Sequence, residues 1–186
     1  DIAHIISAFI SKCSMEYIIK NAQEIIEHNE ICENFKQLEL YNHQKELFNL
    51  FKTHDATSPG KLVFYVAPTG TGKTMSPLGL AEKHRVIFVC AARHIGTALA
   101  KHAISGGKKI ALAFGCEDAD QVRLHYSAAK EFVKHRRTGG IFKVDNSIGD
   151  KVEIMICDIK SYLVAMRYML AFNKAEDIIL YWDEPT

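Results

Sequence analysis

No apolar run in this 186-residue chain approaches the roughly 20 residues a helix needs to cross a bilayer, and no secretory leader is evident. A membrane-spanning helix is therefore not expected. Cysteine is sparse and unpatterned: Cys13, Cys32, Cys90, Cys116 and Cys157 make an odd set with no C-x-x-C pair. That argues against a zinc ribbon or a disulfide framework. Three of the five fall in or at the end of apolar runs, so buried, reduced thiols of an intracellular (cytoplasmic or nuclear) protein are expected. An excess of charge is missing too, with 23 Lys+Arg against 22 Asp+Glu. Any contact with a polyanion would have to come from a local basic strip. No internal repeat or low-complexity tract stands out.

What is present is a globular balance, 48% hydrophobic and 24% charged, long enough for one domain with a sizeable core and too short for two comfortable ones. Asp1 is not an initiator Met, and Thr186 directly follows a strand-like run ending in two acids. The sequence reads as a piece of a longer protein. Residues 1–39 carry Ile5, Ile6, Phe9 and Ile10, then Tyr17, Ile18, Ile25 and Ile26, at helical spacing. Two helices are expected there, forming an N-terminal helical appendage to a domain over 40–186. A third helix is expected over 44–52, with Leu47, Phe48, Leu50 and Phe51 on its apolar side. Thr57-Ser58-Pro59-Gly60 breaks it.

Beyond residue 60 the pattern changes. Short apolar runs over 62–66, 86–90, 110–114, 152–157 and 178–182 alternate with helical patterns over 73–83, 95–104, 119–136 and 159–172. Strands rich in Val and Ile without polar alternation suit a parallel sheet covered on both faces. Strand and helix in repeated alternation is the α/β pattern, here a mostly parallel central sheet flanked by helices. The stretch 136–149, with Gly139-Gly140 and Asp145-Asn146, is expected to be a surface excursion.

Ala67-Pro68-Thr69-Gly70-Thr71-Gly72-Lys73-Thr74 fits the phosphate-loop pattern with Ala for its first Gly. An apolar run precedes it and a helix start follows. Gly70 and Gly72 let the backbone curl without Cβ interference, so that the N–H groups from Thr69 to Thr74 can turn towards a phosphate. The helix start adds its positive dipole end. Lys73 supplies a point charge for the β- and γ-phosphates of ATP, and the Thr74 hydroxyl is suited to ligate Mg²⁺. At the other end of the chain, Ile178-Ile179-Leu180-Tyr181-Trp182 runs into Asp183 and Glu184. Ligand crevices of parallel sheets form at the carboxyl ends of strands. Asp183 would hold Mg²⁺, through water, and Glu184 would polarise the attacking water.

The loop Ala-Pro-Thr-Gly-Thr-Gly-Lys-Thr resembles motif I of superfamily 2 helicases and translocases, and Leu40-Tyr41-Asn42-His43-Gln44 resembles their Q-motif. The resemblance implies a RecA-like ATP-binding lobe, with Gln44 reading adenine through a bidentate amide contact. Val89-Cys90-Ala91-Ala92-Arg93-His94-Ile95 is similar in position to motif Ia, which implies Arg93 as a contact to a DNA or RNA phosphate. The usual Pro-Thr is Ala91-Ala92 here. Ile156-Cys157-Asp158-Ile159-Lys160-Ser161 stands where the next backbone-contacting motif lies, with Lys160 as the candidate. Asp183-Glu184-Pro185-Thr186 occupies the place of Asp-Glu-x-x, with atypical last letters. The family implies a second RecA-like lobe in the same parent chain, whose arginines complete the site, and hydrolysis coupled to movement along nucleic acid. By that reasoning the present piece alone hydrolyses ATP poorly.

Two other readings stand beside this one. Asp-Glu-Pro-Thr after an apolar strand also looks like the second nucleotide motif of ABC-type ATPases, yet no Leu-Ser-Gly-Gly-Gln signature precedes it. A nucleotide-binding scaffold without activity is the other. Lys108-Lys109 and His135-Arg136-Arg137 could extend a backbone-binding track or simply be solvated surface. No aromatic interleaving supports base stacking there.

Overall fold

Residues 85–90 show how the chain builds its sheet: five apolar side chains in a row, Val86 to Cys90, all at most 1% exposed. This is strand β1 (Arg85–Cys90), and such a run survives only where both faces of a sheet are covered. The computed structural model describes residues 16, 19, 40–52, 60–134, 141–145 and 149–183. The expected appendage over 1–39 lies outside the described residues, apart from Glu16 and Ile19, which are both helical.

Four further strands join β1: β2 (Ile110–Ala113), β3 (Arg123–Leu124), β6 (Ile154–Asp158) and β7 (Ile178–Asp183). Their order across the sheet is β3-β2-β6-β1-β7, all parallel except β3, which runs antiparallel to β2. A separate antiparallel hairpin pairs β4 (Lys130–Lys134) with β5 (Ile141–Asp145). The register sets Cys90 of β1 opposite Asp158 on one side and Asp183 on the other. Two carboxylates and a thiol thus end three adjacent strands at one rim.

Side chains alternate along each strand, so the sheet feeds two cores. On one face Val86, Phe88, Ile110, Ile154 and Ile156 meet Leu47 and Phe48 of helix α1 (Asn42–Leu50), Leu80 of α2 (Ser76–Leu80), and Leu99, Ala100 and Ala103 of α3 (Arg93–Ser105). On the other Ile87, Val89, Met155, Cys157, Ala111 and Ala113 meet Ala128 of α4 (Tyr126–Ala129) and Ala165 and Met169 of α5 (Tyr162–Leu170). Glycine permits the closest approaches. A Cβ on Gly79 would lie 2.4 Å from the Phe48 ring, and one on Gly96 would lie 2.8 Å from Ile156 and from Phe114.

The α/β class and the mostly parallel sheet agree with the sequence pattern; several boundaries do not. Residues 62–66 belong to no strand, and their exposure alternates: Leu62, Phe64 and Val66 face solvent while Val63 and Tyr65 pack on the core. The helix expected over 73–83 is a 3-10 turn (Lys73–Met75) followed by the five-residue α2, because the chain must turn back into β1 at Arg85. The segment expected to be helical over 119–136 instead holds a 3-10 turn (Ala119–Gln121), β3, α4 and β4. Pairing of Arg123 and Leu124 with β2, extended by the bond from His125 N to Ile110 O, outweighs helical spacing there. The excursion over 136–149 contains β5; the rest of it, up to Gly149, lies outside the described residues.

Candidate functional site

The approach to the glycine loop is held from within. The Tyr65 hydroxyl lies 2.6 Å from His43 Nδ1 and 3.4 Å from Ser76 Oγ, linking residues 62–66 to α1 and α2. Burial pushes the Tyr65 phenol up, which keeps it a neutral hydrogen-bonding group. Beyond it Pro68, Thr69 and Gly70 are exposed. Gly70 and Gly72 both take left-handed backbone angles, φ 80° and 79°, which a side chain would strain. The Thr71 hydroxyl donates to Pro68 O at 2.7 Å and closes the curl. Lys73 Nζ donates to the carbonyls of Ala67 and Pro68, so its ammonium lies against the loop.

Asp183 meets this loop from 109 residues away. Its two carboxylate oxygens lie 3.5 and 3.4 Å from Thr74 Oγ1, and the residue is 7% exposed. Tyr181, two residues earlier on β7, donates its hydroxyl to Lys73 O at 2.8 Å and stacks on Phe88. Burial first, and the Asp183 charge second, raise the Tyr181 phenol far above its ordinary value, so it stays a donor at any working pH. The facing groups of Thr74 and Asp183 are all oxygen donors, the set a hard divalent cation such as Mg²⁺ takes. Glu184 lies outside the described residues.

Gln44 is 5% exposed, and both ends of its amide are engaged. Oε1 accepts from Tyr41 N at 3.1 Å, one half of a capping box at the start of α1. Nε2 donates to Gly72 O at 3.3 Å, so Gln44 ties α1 directly to the glycine loop. One amide hydrogen and one lone pair remain for other partners. Tyr41, half exposed beside it, stacks on the His43 ring at 5.5 Å.

Arg93 and Lys160 stand at the same rim, beyond the ends of β1 and β6, and both are exposed. Arg93 opens α3. Its Nη2 is 3.7 Å from Asp158 Oδ2, and its guanidinium carbon is 5.6 Å from the Phe114 ring centre. Lys160 sits in the 3-10 turn Ile159–Ser161 that precedes α5. Lys108 is elsewhere. It precedes β2, at the end of the sheet where the parallel strands begin, and is committed to Glu82 at 2.9 Å, Glu153 at 3.6 Å and the Ala81 carbonyl. It does not extend a track from Arg93. His135-Arg136-Arg137 lies outside the described residues.

The structure thus brings Gln44, Gly72, Lys73, Thr74 and Asp183 together, with Arg93 and Lys160 further along the rim. Sequence reasoning missed the tyrosines that brace the loop, and it missed Asp158. An acid closing the run Ile154-Met155-Ile156-Cys157 is the same signal that marked Asp183, and it could have been read the same way. Cys90, Cys116 and Cys157 are buried free thiols, and burial drives Cys157 up to about 12. No helix among the described residues is long and apolar enough to cross a membrane. Comparison with protein-family models, curated proteins and solved structures returns no match.

Proposed function

We propose that this chain is the RecA-like, ATP-binding lobe of a nucleic-acid-dependent ATPase of the superfamily 2 helicase and translocase type. The observation that carries the reading is the meeting of Thr74 and Asp183 beside the curled loop. A hydroxyl after the loop lysine and a carboxylate ending a parallel strand are what Mg²⁺-nucleotide binding requires. In this reading Thr69 to Thr74 wrap the phosphates and Lys73 leaves the loop carbonyls to neutralise the γ-phosphate. Thr74 and Asp183 would hold Mg²⁺, which would supply charge neutralisation to the phosphates. Glu184 orients the attacking water. Gln44, already bonded to Gly72, reports adenine to the loop through its remaining donor and acceptor. DNA or RNA runs over the rim that bears Arg93 and Lys160. A second lobe completes the site with arginines, so the chain alone turns ATP over slowly.

The test is titration of the protein with a fluorescent ATP analogue, with and without Mg²⁺. Lys73→Ala should weaken binding at least tenfold, about 1.4 kcal/mol, with the circular dichroism spectrum unchanged. Asp183→Asn should remove most of the Mg²⁺ dependence. Wild-type affinity in Lys73→Ala would overturn the assignment.

A further inference from the structure

Asp158 is absent from every role assigned above, yet it is among the most heavily bonded side chains at the rim. Its Oδ1 accepts from Ser161 N at 2.9 Å, capping the turn that leads to α5. Its Oδ2 accepts from Gly115 N at 2.8 Å and also faces Arg93 Nη2 at 3.7 Å. One carboxylate oxygen therefore joins the loop after β2 to the first residue of α3. Burial pushes the Asp158 carboxyl up, but hydrogen bonds from Ser161 and Gly115 together with the Arg93 charge outweigh it. The carboxylate stays ionised.

Around that oxygen the guanidinium is confined on three sides. Phe114 offers a ring face at 5.6 Å. Gly115, at φ 65°, leaves the space in which a Cβ would come within 2.8 Å of Arg93 Nη2. The Phe114 ring is itself wedged against Gly96 of α3, where an added Cβ would lie 2.8 Å from its Cζ. Arg93 nevertheless keeps 64% of its side chain exposed against 16% for Asp158. Only one of its nitrogens faces the carboxylate. A guanidinium carries five N–H donors in a planar fork, so the outward ones remain for a second anion.

We propose that Asp158, Gly115 and Phe114 form a seat that fixes the Arg93 guanidinium at the rim, making Asp158 a positioning residue for contact with a nucleic-acid phosphodiester. The proposal rests on the reading that nucleic acid crosses this rim. A free arginine must give up rotamer freedom when it grips a phosphate; a seated one has already done so.

The two things an aspartate can do beside a phosphate-binding arginine have opposite signs. As a bare negative charge Asp158 repels the polyanion, and removing it tightens binding. As a positioning group it helps, and removing it weakens binding although the protein gains net positive charge. Fluorescence anisotropy with labelled oligothymidylate and oligouridylate, across a salt series, separates them. Arg93→Ala should lose about tenfold in affinity and lower the log–log salt slope by about one. Asp158→Asn should lose about threefold at a nearly unchanged slope, and the double variant should match Arg93→Ala. Equal or tighter binding by Asp158→Asn, additive losses in the double variant, or full affinity in Arg93→Ala overturns the proposal.

Should Asp158→Asn fail to fold, Gly115→Ala displaces the guanidinium with no change of charge. It should weaken binding in the wild-type background and do nothing further beside Arg93→Ala; any other pattern overturns the seat. Binding of the ATP analogue, measured on the same samples, stays at wild-type strength in Asp158→Asn and Gly115→Ala. Failure of the nucleotide-binding reading would show there, as wild-type affinity in Lys73→Ala, and not in the anisotropy.

Discussion

Residues 62–66 and 86–90 are two apolar runs of equal length, each leading into a loop at the same rim, and the fold treats them oppositely. The second becomes β1, hydrogen-bonded to β6 on one side and β7 on the other, with no side chain from Val86 to Cys90 more than 1% exposed. The first has no ladder partner among the described residues, with Leu62, Phe64 and Val66 at 82%, 85% and 89% exposure. Hydrophobicity is thus a statement about affinity for a covered face, and neighbours decide whether a face is covered. Among the described residues, what holds 62–66 is its inward half: Val63 and Tyr65 in the core, and the Tyr65 hydroxyl bridging His43 and Ser76.

Truncating the same residue type in each run exposes the difference at its largest. Phe88 is fully buried and stacked on Tyr181 at 5.8 Å, so Phe88→Ala should cost about 3–5 kcal/mol in urea unfolding. Phe64→Ala should stay within about 0.5 kcal/mol of wild type. Similar losses at the two positions would mean that 62–66 is covered in solution and would break the comparison. A smaller effect comes from adding a methyl group beside each run. Gly96, whose Cβ would meet Ile156, Phe114 and the Cys90 sulfur within 2.9 Å, should lose about 1–3 kcal/mol as Gly96→Ala. Gly60, at the head of the unpaired run with nothing within 4 Å, should tolerate Gly60→Ala within about 0.5 kcal/mol. Thermal or urea denaturation of the pair reads both.

The same contrast explains what could be read from the amino acids alone. β1, β2, β6 and β7 were legible to within a residue or two because each holds an unbroken apolar run, which double-sided burial rewards in β1, β2 and β6, while β7 leaves Leu180 and Trp182 partly exposed. The glycine loop was legible because Gly70 and Gly72 stand where backbone angles near 80° are needed. Pairing was not legible. Nothing in Leu62-Val63-Phe64-Tyr65-Val66 distinguishes an unpaired run from a strand, since the difference lies in what sits beside it. Residues 119–136 misled for a similar reason: their local helical spacing competes with the β2 edge, and the edge wins at Arg123 and Leu124. In the candidate site, Lys73, Thr74 and Asp183 were legible as chemistry tied to chain position. The double engagement of Gln44 and the bonds of Asp158 depend on which backbone groups the fold brings past them, and spacing carries no record of that.

The finest test asks whether one hydroxyl replaces part of the missing ladder. Tyr65→Phe keeps the ring in the core and removes only the bonds to His43 and Ser76. A neutral hydrogen bond contributes about 0.5–1.5 kcal/mol net, and His43 Nδ1 would lose its Tyr65 partner, so a loss of about 1 kcal/mol is expected. The same change should weaken the ATP analogue about two- to threefold, because Ser76 lies two residues past Thr74 and its hydroxyl is 3.5 Å from Gly72 O. Phe88→Ala loosens the whole sheet, so its effect on stability should far exceed its effect on affinity per kilocalorie lost. Tyr65→Phe should lose more affinity for each kilocalorie of stability than Phe88→Ala does. If it leaves both stability and affinity at wild-type values, the run is held by Val63 and the Tyr65 ring alone. The contrast with β1 then reduces to buried area.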